Sequence, residues 1–139
     1  MRTLTLSVVL FLRLGLLGAA SANGQSERRL SATPKAFQLF FAKFKAAALK
    51  RDRETVTSMT SFPFEYGWDA GDEGTYTRRQ FLVKFRVIFS ETDKLFGQRN
   101  PLFYVENGSY TLTNDEDASH FSFKRNGVTY KFSGFFVEP

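Results

Sequence analysis

Cysteine is absent from the 139 residues. That excludes a disulfide scaffold, a zinc–thiolate centre, a thiol nucleophile and a lipid-modified cysteine anchor. Histidine occurs once, at His120. No Walker-type loop, G-x-G-x-x-G, G-x-S-x-G or H-E-x-x-H is spelled anywhere, so phosphate-cradling loops, a nucleophile elbow and a zinc helix have no support. After residue 22 there is no second long apolar stretch, and no segment of low complexity. Nothing in the sequence implies a cofactor or a metal.

What is present begins with a leader. Met1 and Arg2 are followed by an apolar run from Leu4 to Leu17, closed by Gly18-Ala19-Ala20-Ser21-Ala22. A charged start, an apolar middle and an A-x-A-like exit are the layout of a secretory signal peptide. Arg13 interrupts the run, and a spanning helix needs about 20 apolar residues. Residues 1–22 are therefore expected to be cleaved before Asn23, giving an exported protein, periplasmic or extracellular, without a membrane span. Residues 23–33 are polar and read as a flexible tail. Residues 34–139 read as one domain. Sixteen of the 17 phenylalanines lie beyond the leader, a composition incompatible with disorder. Without Arg2 and Arg13 the formal charge falls from +5 to +3.

Thr33-Pro34 reads as a helix start, with Thr33 as cap and Pro34 in the first turn. Phe37, Phe40, Phe41, Phe44 and Ala48 recur at three- and four-residue steps, which predicts a helix over 34–50 with one apolar face. Asp52 caps a short second helix with Val56 and Met59 inward. Phe62-Pro63 ends it. Residues 62–66 read as a short strand given an edge character by Pro63. Residues 67–74 read as a loop holding Trp68 and three acids. Thr77 caps a third helix that buries Phe81, Leu82, Phe85, Ile88 and Phe89. Residues 91–98 read as a helical turn stopped by Gly97.

Asn107-Gly108 joins two strands in a tight hairpin that pairs Val105 with Tyr110 and Phe103 with Leu112. Asn107-Gly108-Ser109 also spells a glycosylation sequon, but the turn explains it better. Residues 114–119 form an acidic connection. A second hairpin turns at Asn126-Gly127, which sets Phe121 opposite Phe132 and Phe123 opposite Tyr130. Gly134 marks a bulge. The expected class is α+β, in the order α-α-β-α-β-β-β, with N-terminal helices packed on a bent antiparallel sheet.

This order resembles the cystatin-like, cone-shaped fold of the nuclear transport factor 2-like superfamily, and within it small exported bacterial proteins of unassigned function. The carrying residues are the run Phe40-Phe41-Ala42-Lys43-Phe44-Lys45-Ala46-Ala47, then Asp52, Phe62-Pro63-Phe64, Thr77-Arg78-Arg79-Gln80-Phe81-Leu82 and Ile88-Phe89. These are packing and capping residues. The resemblance implies a fold, often with a pocket between helices and sheet, and often a homodimer through the sheet. It does not imply one chemistry, because members include isomerases, dehydratases, cyclases and binding modules.

The residues themselves offer few catalytic groups. His120 shares a strand face with Ser122 and Lys124, opposite Phe121 and Phe123, which predicts solvent. Glu65 is the one acid inside an apolar strand, and alternation turns it outward from Phe64 and Tyr66. Residues 69–80 fail the EF-hand pattern at Gly71 and Gln80. Lys43, Lys45, Lys50, Arg51 and Arg53, with Arg78, Arg79, Lys84 and Arg86, form a basic surface. With export and a small net charge this points away from nucleic acid and toward an acidic envelope surface.

The leading expectation is a non-enzymatic module that binds an apolar small molecule or a cell-envelope partner. Its pocket or lid residues are Tyr66, Trp68, Phe85, Tyr104, Tyr110 and Tyr130. An isomerase- or dehydratase-type enzyme with a pocket carboxylate and tyrosine, and a sheet-mediated dimer or assembly protein, are the alternatives.

Overall fold

The computed structural model describes residues 26–114 and 118–138. The leader, residues 23–25 of the tail and residues 115–117 of the acidic connection lie outside the described residues. The elements run β1 (Ser26–Arg29), α1 (Lys35–Leu49), α2 (Arg53–Ser58), β2 (Thr60–Trp68), β3 (Asp72–Tyr76), α3 (Arg78–Ile88), α4 (Thr92–Phe96), β4 (Leu102–Glu106), β5 (Ser109–Asn114), β6 (Ser119–Asn126) and β7 (Thr129–Val137). Helices pack on one face of a seven-stranded sheet ordered β1-β4-β5-β6-β7-β2-β3. The class is α+β, as the sequence predicts. The sheet is antiparallel except between β2 and β7, which run parallel.

Three segments depart from expectation. From Ser26 on, the residues assigned to a flexible tail form β1 and a short 3-10 turn, and β1 pairs with β4. The loop expected over 67–74 is a hairpin: β2 and β3 pair from Phe64↔Tyr76 to Trp68↔Asp72 around a turn in which Ala70 and Gly71 take positive φ. Strand β2 is interior, between β7 and β3, despite Pro63. Its ladder to β7 breaks between Thr60 and Glu65, and its ladder to β3 starts at Phe64. Pro63 therefore falls where no neighbour requires the amide hydrogen it lacks.

Local signals explain most helix ends. Asp52 accepts from the Thr55 amide at 3.1 Å and from its hydroxyl at 2.7 Å. Thr77 and Gln80 form a reciprocal capping box. Thr33 does not cap α1. Its hydroxyl donates to the Leu30 carbonyl at 2.6 Å, and Pro34 takes the cap position. Helix α1 ends with Arg51 in the left-handed region, where the amides of Arg51 and Asp52 close onto the carbonyls of Ala48 and Ala47. Glycine is usual there. Here the arginine side chain also reaches Thr92 Oγ1 at 2.8 Å, tying α1 to α4.

The first hairpin has the predicted register. The second is displaced by two residues. Gly127, with φ +63°, takes the first turn position, so Asn126 pairs with Thr129 and Phe123 with Phe132. An irregularity at Ser133, beside the glycine expected to mark a bulge, then sets Phe121 opposite Phe135.

The core is a lattice of rings. Phe37 stacks on Tyr110 at 4.2 Å, and Phe41 meets Phe103 edge-on at 5.0 Å. Phe132 touches Phe44 at 5.0 Å and Phe64 at 4.8 Å. Eleven phenylalanines are less than 2% exposed, so the helix–sheet interior is filled largely by rings.

Candidate functional site

The six expected pocket residues are not brought together in one pocket. Tyr110 and Tyr130 flank Phe37 in the core, with ring centroids 5.7 Å apart. Burial, and next the neighbouring Tyr130, raise the Tyr110 phenol above its ordinary pKa. Phe85 lies on α3, 3% exposed, with the Arg53 guanidinium 5.5 Å from its ring. Tyr66 stacks on Tyr76 at 4.0 Å, close over Gly74, where a Cβ would come within 3.1 Å of the Tyr66 oxygen. Desolvation, and next Asp72, raise the Tyr66 pKa. Tyr104 is on the opposite face of the sheet.

Two of the six lie beside concavities on the helix side: Phe85, in a hollow of about 340 Å³ with Arg51, Arg53, Leu82, Val83 and Arg86, and Trp68. Its indole N–H donates to the Tyr76 hydroxyl at 2.8 Å, and its ring meets Phe135 edge-on at 5.1 Å. Beneath it lies a cleft of about 190 Å³ between the C-terminal end of α3 and strands β6 and β7. Ile88, Phe121, Phe135 and the polar Ser119 are its buried lining, and Val87, Ser90 and Glu91 its exposed residues. Two of the β-strand residues, Phe135 and Val137, were not singled out by sequence reasoning. The signal was available in the alternation of β7, but not which helix end would face it.

The outer face of the sheet carries a second, more polar concavity. Across β5 and β6, Thr111 and Ser122 hydroxyls lie 3.2 Å apart, and Thr113 Oγ1 lies 2.9 Å from His120 Nδ1. Tyr104 on β4 and Phe136 on β7 line the two sides of a hollow of about 540 Å³. His120 is not the solvated residue that its strand face predicts. Its side chain is only 17% exposed, and Nε2 lies 3.3 Å from Glu138 Oε1 without the alignment of a hydrogen bond. Glu65 is outward, as alternation predicts, and is paired with Lys124 at 3.2 Å. Among the described residues, no group of three or more His, Asp or Glu is placed to hold a metal ion. Among them, too, no helix is long and apolar enough to cross a membrane.

No protein-family model and no curated protein matches the sequence. Solved structures do. A protein of unknown function with a cystatin-like fold from Nostoc punctiforme PCC 73102 is similar at 13% identity and TM-score 0.38, covering 73% of this chain and 86% of its own. A domain of unknown function with a cystatin-like fold from the same organism is similar at 10% identity and TM-score 0.38, covering 76% and 78%. A nuclear transport factor 2-like protein with a cystatin-like fold from Novosphingobium aromaticivorans is similar at 11% identity and TM-score 0.35, covering 72% and 77%. At this distance these structures lend the chain no activity.

Proposed function

We propose that the protein is an exported, non-enzymatic binding module that takes a small apolar ligand, or an apolar group of an envelope molecule, in the cleft beneath Trp68. The observation that supports this is the pinning of Trp68. Its polar edge is bonded to Tyr76, and its ring lies against Phe135 beside an apolar hollow. A tryptophan so held adds contact area at little cost in side-chain entropy. A hollow of about 190 Å³ suits one aromatic ring or a short alkyl chain. The enzyme alternative asks for a carboxylate beside a tyrosine in a pocket. Glu65, its candidate, is on the outer face with Lys124.

Trp68 is the only tryptophan in the chain, so its fluorescence reports the cleft directly. Titration of protein secreted from the full-length gene with toluene and with hexanol is expected to give a saturable change. Val137→Trp fills the cleft and is expected to abolish saturation, read as protection of Phe121 and Phe135 ring signals by NMR. Linear, non-saturating responses to both probes overturn the reading. Native mass spectrometry of the same preparation tests export. A chain beginning near Asn23 supports it, and an uncleaved chain in the membrane fraction defeats it.

A further inference from the structure

The outer face of the sheet is built unlike a surface left to solvent. Gly67 and Gly134 lie on the adjacent strands β2 and β7. A Cβ on Gly134 would approach Phe136 Cε2 to 2.7 Å, and one on Gly67 would approach its Cδ1 to 3.0 Å. The two glycines therefore form a platform on which the Phe136 ring rests, half-buried, outside the core. Three strand spacings away, roughly 14 Å at the usual separation, β4 presents Tyr104 on the same face. Between them the floor consists of short hydroxyl side chains and one imidazole: Thr111, Thr113, Ser122 and His120.

The concavity is elongated. A hollow of about 530 Å³ shares Glu106 and Thr111 with the central one and continues it toward the hairpin tip, beside Lys124 and Arg125. Another of about 380 Å³ shares Tyr104 and Thr113 and runs past Arg29 and Leu102, but its lining then passes to the helix side, with Lys94 and Leu95 of α4, Gln98 and the inward-facing Leu112. Carboxylates and cations alternate along this furrow, so it has no single sign to complement an ion. An apolar ligand would strip water from four hydroxyl or imidazole groups without replacing their hydrogen bonds, which costs binding energy. A second copy of the chain would need an apolar centre to its interface, and here the centre is hydroxyl-bearing.

A neutral linear oligosaccharide answers each feature. The C–H faces of its rings pack on Phe136 and Tyr104. Its hydroxyls exchange hydrogen bonds with Thr111, Ser122 and Glu138, and with His120 Nε2, a buried nitrogen whose near acceptor, Glu138 Oε1 at 3.3 Å, is not aligned for a hydrogen bond. Its length follows the central hollow and the one that continues it to the hairpin tip. We infer that the outer sheet face, on β4 to β7, is a binding furrow for a neutral oligosaccharide, separate from the cleft beneath Trp68.

The test is ¹⁵N-resolved NMR titration of protein from the full-length gene with cellohexaose, maltohexaose and hexa-N-acetylchitohexaose at millimolar concentration. At least one is expected to shift the amides around Thr111, Thr113, His120 and Ser122 while leaving Trp68 unmoved. Tyr104→Ala and Thr111→Val, both on the outer face and away from the core, are each expected to weaken binding about tenfold. Phe136→Ala adds a third reading if it folds. No response at these residues with all three sugars overturns the inference. So does a protein-concentration-dependent shift of the same amides without sugar and with a doubled mass, which would assign the face to a second copy. Binding that survives both Tyr104→Ala and Thr111→Val also overturns it.

Discussion

On β6, Phe121 and Phe123 are buried among rings, while their neighbours His120 and Ser122 line a furrow on the opposite face. The same alternation runs through β5, where Tyr110 and Leu112 face inward and Thr111 and Thr113 outward. The inner face is filled largely by aromatic packing, with a shallow cleft at its Trp68 end. The outer face carries a surface aromatic that two glycines make room for. The difference teaches that this fold buries its rings on one side of the sheet and leaves side-chain identity less constrained by packing on the other.

The largest test of that division compares two phenylalanines on one strand. Phe132 is wholly buried and meets Phe44, Phe64 and Phe123 within 5.5 Å. Phe132→Ala leaves a ring-sized cavity and is expected to cost about 3–5 kcal/mol, a large share of a small domain's stability. Phe136→Ala removes a half-buried ring from the outer face and is expected to cost about 1 kcal/mol. Urea unfolding of both variants decides it. Equal losses would mean that the outer face is structural too.

This division was largely legible before the structure. The period-two patterns of β5 and β6 turn Tyr110, Leu112, Phe121 and Phe123 inward as observed, and the Asn107-Gly108 turn sets the first hairpin's register; Ser119, buried at the start of β6, is the inward residue they miss, because it reads as part of the acidic connection. The second hairpin shows the limit. Its turn takes Gly127 first, not Asn126, and the register moves by two, which changes partners but not faces. Strands β1 and β3 were not legible because both are exposed along nearly their whole length. Edge strands with one paired side need no apolar alternation, and backbone pairing alone holds them. The parallel pairing of β2 with β7 joins residues some seventy positions apart, which no local pattern encodes. For the same reason Trp68 stood out in the sequence while Phe135 and Val137, its distant neighbours, did not.

The glycine platform offers a sharper, smaller test. Gly134→Ala places a methyl group 2.7 Å from the Phe136 ring and 3.4 Å from the Glu65 carbonyl. The ring must leave its seat, and the expected loss is about 1–3 kcal/mol, as for other overpacked sites. In Gly134→Ala/Phe136→Ala the clash with the ring is gone, so the double variant is expected to be more stable than the sum of the single losses predicts. Additive losses in urea unfolding would show that Gly134 serves the backbone and not the ring.

The smallest effect concerns a polar group remote from both faces. The Asp52 carboxylate caps α2, and its hydrogen bonds from the Thr55 hydroxyl and amide hold its pKa below the ordinary 3.8. A carboxyl depressed in the folded state adds stability that is present above its unfolded pKa and lost as pH falls through the folded one. Asp52→Ala is therefore expected to be less stable than the parent at about pH 7, with the difference narrowing below about pH 4. Chemical unfolding of both proteins across that window measures the gap. A gap that stays constant down to the acid limit would mean that the cap acts through hydrogen bonds the protonated carboxyl still accepts and not through its charge.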